Sequence, residues 1–198
     1  MSKIYIQGTF GAYSHLAALK IEPNAEVIPC KTFDECFLKT SSEKGSRMVI
    51  PESNRITGNI GIEYLIFKYR LNIYAEHFQK VEHNLLGQPG SSLSDVKDVF
   101  SHVQALSQCS NFIKQNNLAE HIRADTAGSA ESISKNKIKS EAAIASSLSA
   151  KIYKLKILVP NIENESGNAT RFLIMGKNIS QPEFADKKYI TSFLFKLK

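Results

Sequence analysis

Cysteine is scarce in this 198-residue chain. Three occur (Cys30, Cys36 and Cys109), an odd number with no Cys-x-x-Cys pair. That argues against a disulfide framework and for reduced thiols in the cytoplasm. No stretch approaches the roughly 20 apolar residues of a membrane span. The start, Met1 to Gly8, runs straight into a strand with no charged region and long apolar segment, so export is not expected. Arginine is also rare: Arg47, Arg55, Arg70, Arg123 and Arg171 are scattered, with no aromatic-basic stripe. The net charge of +6 therefore reads as a lysine-rich solvated surface, whose field can attract a small polyanion, rather than as a nucleic-acid interface. The five histidines show no helix-paired metal spacing, so neither a metal nor a cofactor is expected. Gly-x-Ser-x-Gly, a Walker loop and a full Gly-x-Gly-x-x-Gly are missing as well. What these absences leave is a site that positions and hydrogen-bonds rather than one that forms covalent intermediates.

What is present is an alternation of short strands and helices. Ile4-Tyr5-Ile6 predicts a strand, Gly8 to Gly11 a turn, and 14–20 a helix. Val27-Ile28 and Met48-Val49-Ile50 predict strands, the second ended by Pro51. Thr32 and Glu35 form a capping box between them. A helix is expected over 60–69, then an extended stretch over 71–86 that crosses between two lobes. Further on, Val96 to Phe100 predicts a strand. A single helix is expected over 104–115, with Ala105, Leu106, Cys109, Phe112 and Ile113 on one face. Ile122 to Ala124 and Ala142 to Ala145 predict strands, Asp125 to Ala130 and Ser146 to Tyr153 helices, and Lys156 to Val159 and Phe172 to Met175 strands. This alternation implies an α/β fold of mainly parallel sheets flanked by helices, with ligand at the carboxyl ends of the strands.

Four segments share one design, a strand end, then small polar residues, then a helix start: Gly8 to Ser14, Pro51 to Gly58, Ser101 to Gln104 and Asp125 to Ala130. Such helix starts expose amides that favour anions, although Ser, Thr, Asn and Asp also serve simply as caps. Gln104 and Gln108, four apart, share a helix face that is either solvent-facing or cleft-facing. Thr170 and Arg171 place a hydroxyl beside a guanidinium. A guanidinium can clamp a carboxylate through two bonds, but strand alternation would turn Arg171 away from Thr170.

Together these segments resemble prephenate dehydratase along nearly the whole chain. The resemblance rests on Gly8, Gly11, Tyr13, Ser14, Ala17 and Ala18, on Pro51 to Gly58, and on Ser101 to Cys109. Asp125 to Ala130, Ala142 to Ala145 and Asn168 to Phe172 complete it. Two positions depart: Glu52-Ser53 stands where the family has Ile-Glu, and Val103 replaces a proline. The resemblance implies a two-lobed α/β fold like the type 2 periplasmic binding proteins, with a cleft between lobes. Lobe 1 would comprise 1–75 and 156–180, lobe 2 76–155, and 187–198 would begin a truncated ACT-like region. It implies dehydration and decarboxylation of prephenate by a cytoplasmic homodimer or homotetramer without cofactor, nucleic acid or membrane. Arogenate dehydration and non-catalytic binding of a small carboxylate are the alternatives. The implied catalytic residues are Thr170, Arg171, Asn54, Ser101 and Gln108. Thr9, Asp125, Thr126, Ala127, Gly128, Ser129 and Phe172 would bind substrate, with Thr170 easing departure of the ring hydroxyl.

Overall fold

The computed structural model describes residues 2–177; the expected ACT-like segment at 187–198 lies outside them. The chain opens with β1 (Lys3–Gln7), α1 (Tyr13–Ile21), β2 (Glu26–Cys30), α2 (Phe33–Ser42), β3 (Arg47–Asn54), β4 (Gly58–Asn59), α3 (Glu63–Tyr69) and β5 (Asn72–Lys80). It then crosses to β6 (Asn84–Gly87), β7 (Asp98–Ser101), α4 (Val103–Gln108), α5 (Ser110–Gln115), β8 (Ala119–Ile122), α6 (Thr126–Asn136), β9 (Glu141–Ala145), α7 (Ser147–Tyr153) and β10 (Lys156–Val159). It returns as β11 (Ala169–Gly176).

Two sheets result, ordered β2-β1-β3-β11-β5 with β4 beside β3, and β10-β6-β9-β7-β8. Both are mixed, where mainly parallel sheets were expected. β1 pairs in parallel with β2 and β3, and β7 with β8 and β9. The pairings of β11, β6 and β10 are antiparallel. The parallel strands are joined through helices, as parallel pairing demands. The antiparallel ones flank the two places where the chain passes directly between sheets. Those crossings fall at 81–83 and 160–168, not at the expected 75/76 and 155/156. β5 stays in the first sheet to Lys80, held there by β11, and β10 pairs within the second.

The strand sequences explain the layering. In β11, Phe172 and Ile174 join Ile4, Ile6 and Val49 against α1, while Leu173 and Met175 join Tyr5, Met48 and Ile50 against α2 and α3. In β9, Ala142 and Ile144 face α4 and α5, while Ala143 and Ala145 face α6 and α7. Near-continuous apolar runs are what a strand buried on both faces requires. Among the described residues no helix is long and apolar enough to cross a membrane.

Three local expectations are corrected. Pro51 lies inside β3 rather than ending it: β1 pairs only as far as Val49, and on the β11 side the register shifts between Pro51 and Ser53, so its missing N–H breaks no ladder bond. The Thr32 hydroxyl accepts from the Glu35 amide (3.1 Å), but the Glu35 carboxylate reaches back to Lys31 (2.8 Å) instead of the cap residue. The helix expected over 104–115 breaks at Cys109. There Asn164 inserts: its amide donates to the Gln108 carbonyl (2.6 Å), and its side-chain oxygen accepts from the Asn111 amide (3.0 Å). The apolar face survives the break, with Ala105, Leu106, Cys109 and Ile113 all in the core.

Candidate active site

A cavity of about 520 Å³ opens between the two sheets. From the first sheet and α1 it receives Tyr13, Asn54, Thr170 and Phe172; from the second come His102, Gln104, Gln108, Asp125 and Thr126. Gln104 and Gln108 thus resolve to the cleft-facing alternative. Neither lysine nor arginine lines the cavity among the described residues.

Thr170 and Asn54 are direct cross-strand partners, so their side chains share one face of the first sheet. The next pair, Ser53 and Arg171, faces the other way. A β-bulge at Glu52 puts one extra residue on β3 there and turns the Glu52 carboxylate to the Arg171 side. Arg171 donates to Glu76 (2.7 Å) and Glu52 (3.3 Å) and does not line the cavity. The expected carboxylate clamp is therefore corrected: strand alternation commits that guanidinium to two internal carboxylates. Ser53 donates to Glu52 (2.6 Å), so its departure from the family pattern lies on the face away from the cavity.

Hydrogen-bond polarity at the site follows from one fixed point. The Asn54 side-chain oxygen accepts from the backbone amides of Ile56 (3.0 Å) and Thr57 (3.1 Å). Backbone amides can only donate, so the Asn54 NH2 must face the other way. It donates to the Asn168 oxygen (2.8 Å) and to Thr170 Oγ1 (2.9 Å). With its oxygen already accepting, Asn168 donates through Nδ2 to Gln108 Oε1 (3.0 Å). His83 Nε2 lies 2.9 Å from that same oxygen and must also donate. Burial holds the His83 imidazole below its ordinary pKa, against the opposing Gln108 bond and Glu163 charge, so the ring is neutral near pH 7. Its Nδ1 then faces the Tyr13 hydroxyl (3.1 Å), which also reaches the Glu82 carbonyl (2.6 Å). Burial pushes the Tyr13 phenol well above its usual range, so it stays protonated.

Within this network two donor groups have no acceptor among the described residues: the Thr170 hydroxyl hydrogen and the Gln108 NH2. At the start of α6, the Asp125 carboxylate caps the Gly128 amide (2.6 Å), and the helical ladder begins at Ser129. The amides of Thr126 and Ala127 are left at the positive end of the helix dipole.

Five other expected site residues are placed elsewhere. Ser101 is fully buried and donates to the Ile144 carbonyl (2.6 Å), tying β7 to β9 beyond their last paired residues. Thr9 sits in the turn before α1 and does not line the cavity. Of Asp125 to Ser129, only Asp125 and Thr126 line it; Ala127 is buried, and Ser129 donates back to the Asp125 carbonyl (2.7 Å). Phe172 does line it, beneath Thr170 on the same strand face. Tyr13, His83 and Asn168 were missed. Asn168 stands beside Thr170-Arg171 in a polar loop, the one signal that could have found it. His83 sits in a stretch that reads only as a crossover.

A family model described as Prephenate dehydratase matches residues 4–180. Arogenate dehydratase/prephenate dehydratase 1, chloroplastic, of Arabidopsis thaliana is 39% identical over 197 residues, 99% of this chain and 50% of that protein. The solved quorum-quenching acylase GqqA superposes with a TM-score of 0.84 at 34% identity, covering 90% of this chain and 65% of its own. The solved prephenate dehydratase of Staphylococcus aureus gives 0.78 at 27% identity, covering 92% and 68%. The chain spans about half the length of the curated plant relatives it matches.

Proposed function

Because the chain belongs to the prephenate dehydratase family, we propose that it takes prephenate to phenylpyruvate with loss of carbon dioxide and water. The bond from the ring to its carboxylate breaks, and its electron pair forms the last double bond of the aromatic ring. The ring hydroxyl departs with its own bonding pair and takes up a proton to leave as water. Aromatisation supplies the driving force, so the protein needs to hold the dianion, align the two breaking bonds and stabilise charge on the leaving oxygen. One observation carries this reading: Asn54 donates into Thr170 Oγ1, which leaves the threonine hydrogen free for an oxygen in the cavity. Thr170 is the proposed hydrogen-bond donor to the departing hydroxyl. The Gln108 NH2 and the free amide of Thr126 are the proposed anchors for the carboxylates. The ring carboxylate that leaves must not be held too tightly, since stabilising it in the ground state opposes its loss.

A second reading is favoured by the cavity's charge. It holds one carboxylate, Asp125, with no lysine or arginine among the described residues. That balance suits arogenate, whose side chain carries an ammonium where prephenate carries a ketone. Steady-state kinetics with both compounds test the two readings together. Turnover of either one with aromatic product is expected, and the ratio of kcat/KM values decides between them. Binding without product would replace both with a non-catalytic carboxylate receptor.

The reading extends to a homodimer or homotetramer in the cytoplasm. Three buried, unpaired cysteines suit a reducing compartment. Exposed Tyr64 and Phe67 on α3 offer apolar surface for subunit contact.

A further inference from the structure

His83 is 3% exposed and lies on the segment that carries the chain from the first sheet to the second. Its contacts come from three directions. Tyr13 meets it from α1, with ring centroids 5.8 Å apart and the phenol 3.1 Å from Nδ1. Gln108 meets it from α4 at 2.9 Å. Glu163, on the return crossing, accepts from its backbone amide at 3.0 Å. The imidazole is therefore held at Nε2 and at its backbone across the junction of the two lobes, while Nδ1 shares the single Tyr13 hydroxyl hydrogen with the nearer Glu82 carbonyl.

We propose that His83 is a positioning residue: its Nε2–H, together with the Asn168 amide, holds Gln108 Oε1 so that the Gln108 NH2 is turned into the cavity. A glutamine carboxamide can otherwise rotate to present either end. With Oε1 held by two donors, rotation would set the Gln108 NH2 against the Asn168 NH2 and the His83 N–H, and bury three donors without acceptors. Leaving even one buried donor unmet costs the full desolvation of that group. The same arrangement makes the cavity depend on both lobes at once. Asn168 links Gln108 to Asn54 and Thr170 in the first sheet, while His83 links it to Tyr13 on α1. Sequence spacing could not have suggested this, since His83 is 25 residues from Gln108 and 70 from Tyr13.

The kinetic half of the test rests on the dehydratase reading; the spectroscopic half does not. In the full chain, His83→Leu removes the donor and keeps the bulk, whereas His83→Gln restores an N–H. The His83→Leu chain is expected to lose about tenfold or more in kcat. His83→Gln is expected to recover most of that loss, with both variants melting as folded proteins. A merely structural histidine would show no such rescue: equal losses in two folded variants, or turnover within threefold of the parent for His83→Leu, overturn the proposal. Should His83→Leu fail to fold, the parent chain still decides. Long-range proton–nitrogen NMR of histidine-labelled protein at neutral pH is expected to show His83 as the Nε2–H tautomer, and an Nδ1–H tautomer overturns the assignment. If the parent turns over neither prephenate nor arogenate, the dehydratase reading fails while the tautomer measurement still judges His83.

Discussion

Thr170→Val is expected to lower turnover by about two orders of magnitude or more while leaving the fold intact. Valine keeps the shape of threonine and removes only the hydroxyl. The partner left behind is not stranded, because Asn54 Nδ2 keeps the Asn168 oxygen at 2.8 Å and has the Ala169 carbonyl at 3.3 Å. Stability should therefore change little, and the loss should fall on kcat. Thr170→Ser, which restores a hydroxyl on the same strand face, should return activity to within roughly tenfold of the parent. Initial rates of product formation, with a melting curve for each variant, check both statements. Near-parental turnover by Thr170→Val would remove the hydroxyl from the chemistry.

The second large effect is expected on stability rather than on chemistry. Gly11→Ala should destabilise the chain by roughly 2–5 kcal/mol, through a strained backbone and a steric wedge acting together. Gly11 lies at φ +92, where L side chains are rarely found. A Cβ built there would stand 2.5 Å from Ser149 Oγ and 2.9 Å from Ser149 Cα. The backbone atom belongs to α7 of the second lobe and cannot rotate aside. The Gly11 carbonyl also accepts from Ser146 Oγ (2.6 Å) and Ser149 Oγ (3.0 Å), so this turn is a seam between the lobes. Gly45→Ala provides the comparison, since Gly45 lies at φ +80 with nothing within 4 Å. Its cost is the backbone strain alone. A chain of this size loses about 2–4 °C in melting temperature per kcal/mol, so Gly11→Ala should melt several degrees below Gly45→Ala. Equal melting temperatures would show that the seam tolerates widening.

Local pattern carried the elements and their faces into the sequence reading. The apolar run Ile4-Tyr5-Ile6 and the 3.6-residue spacing from Ala105 to Ile113 report burial directly, and Asp125 before a small-residue helix reports its own cap. Strand alternation likewise separated Thr170 from Arg171. What stayed illegible depended on neighbours that sequence does not name. The Ser101 hydroxyl looked free until β9 was found beside β7, with the Ile144 carbonyl waiting for it. The helix break at Cys109 depends on Asn164, more than fifty residues on. The bulge at Glu52 arises where β3 meets a strand from the other end of the chain. The same non-local logic hid His83 and Tyr13, whose roles exist only where two lobes meet.

The account rests on the Thr170 hydrogen pointing at the oxygen that leaves. The structure of this chain bound to a ring-saturated analogue of prephenate tests that most directly, since such a compound keeps the hydroxyl and both carboxylates but cannot become aromatic. The account predicts the ring hydroxyl within about 3 Å of Thr170 Oγ1, with the carboxylates toward Gln108 and the start of α6. An analogue seated in the cavity with its hydroxyl out of reach of Thr170 would contradict it.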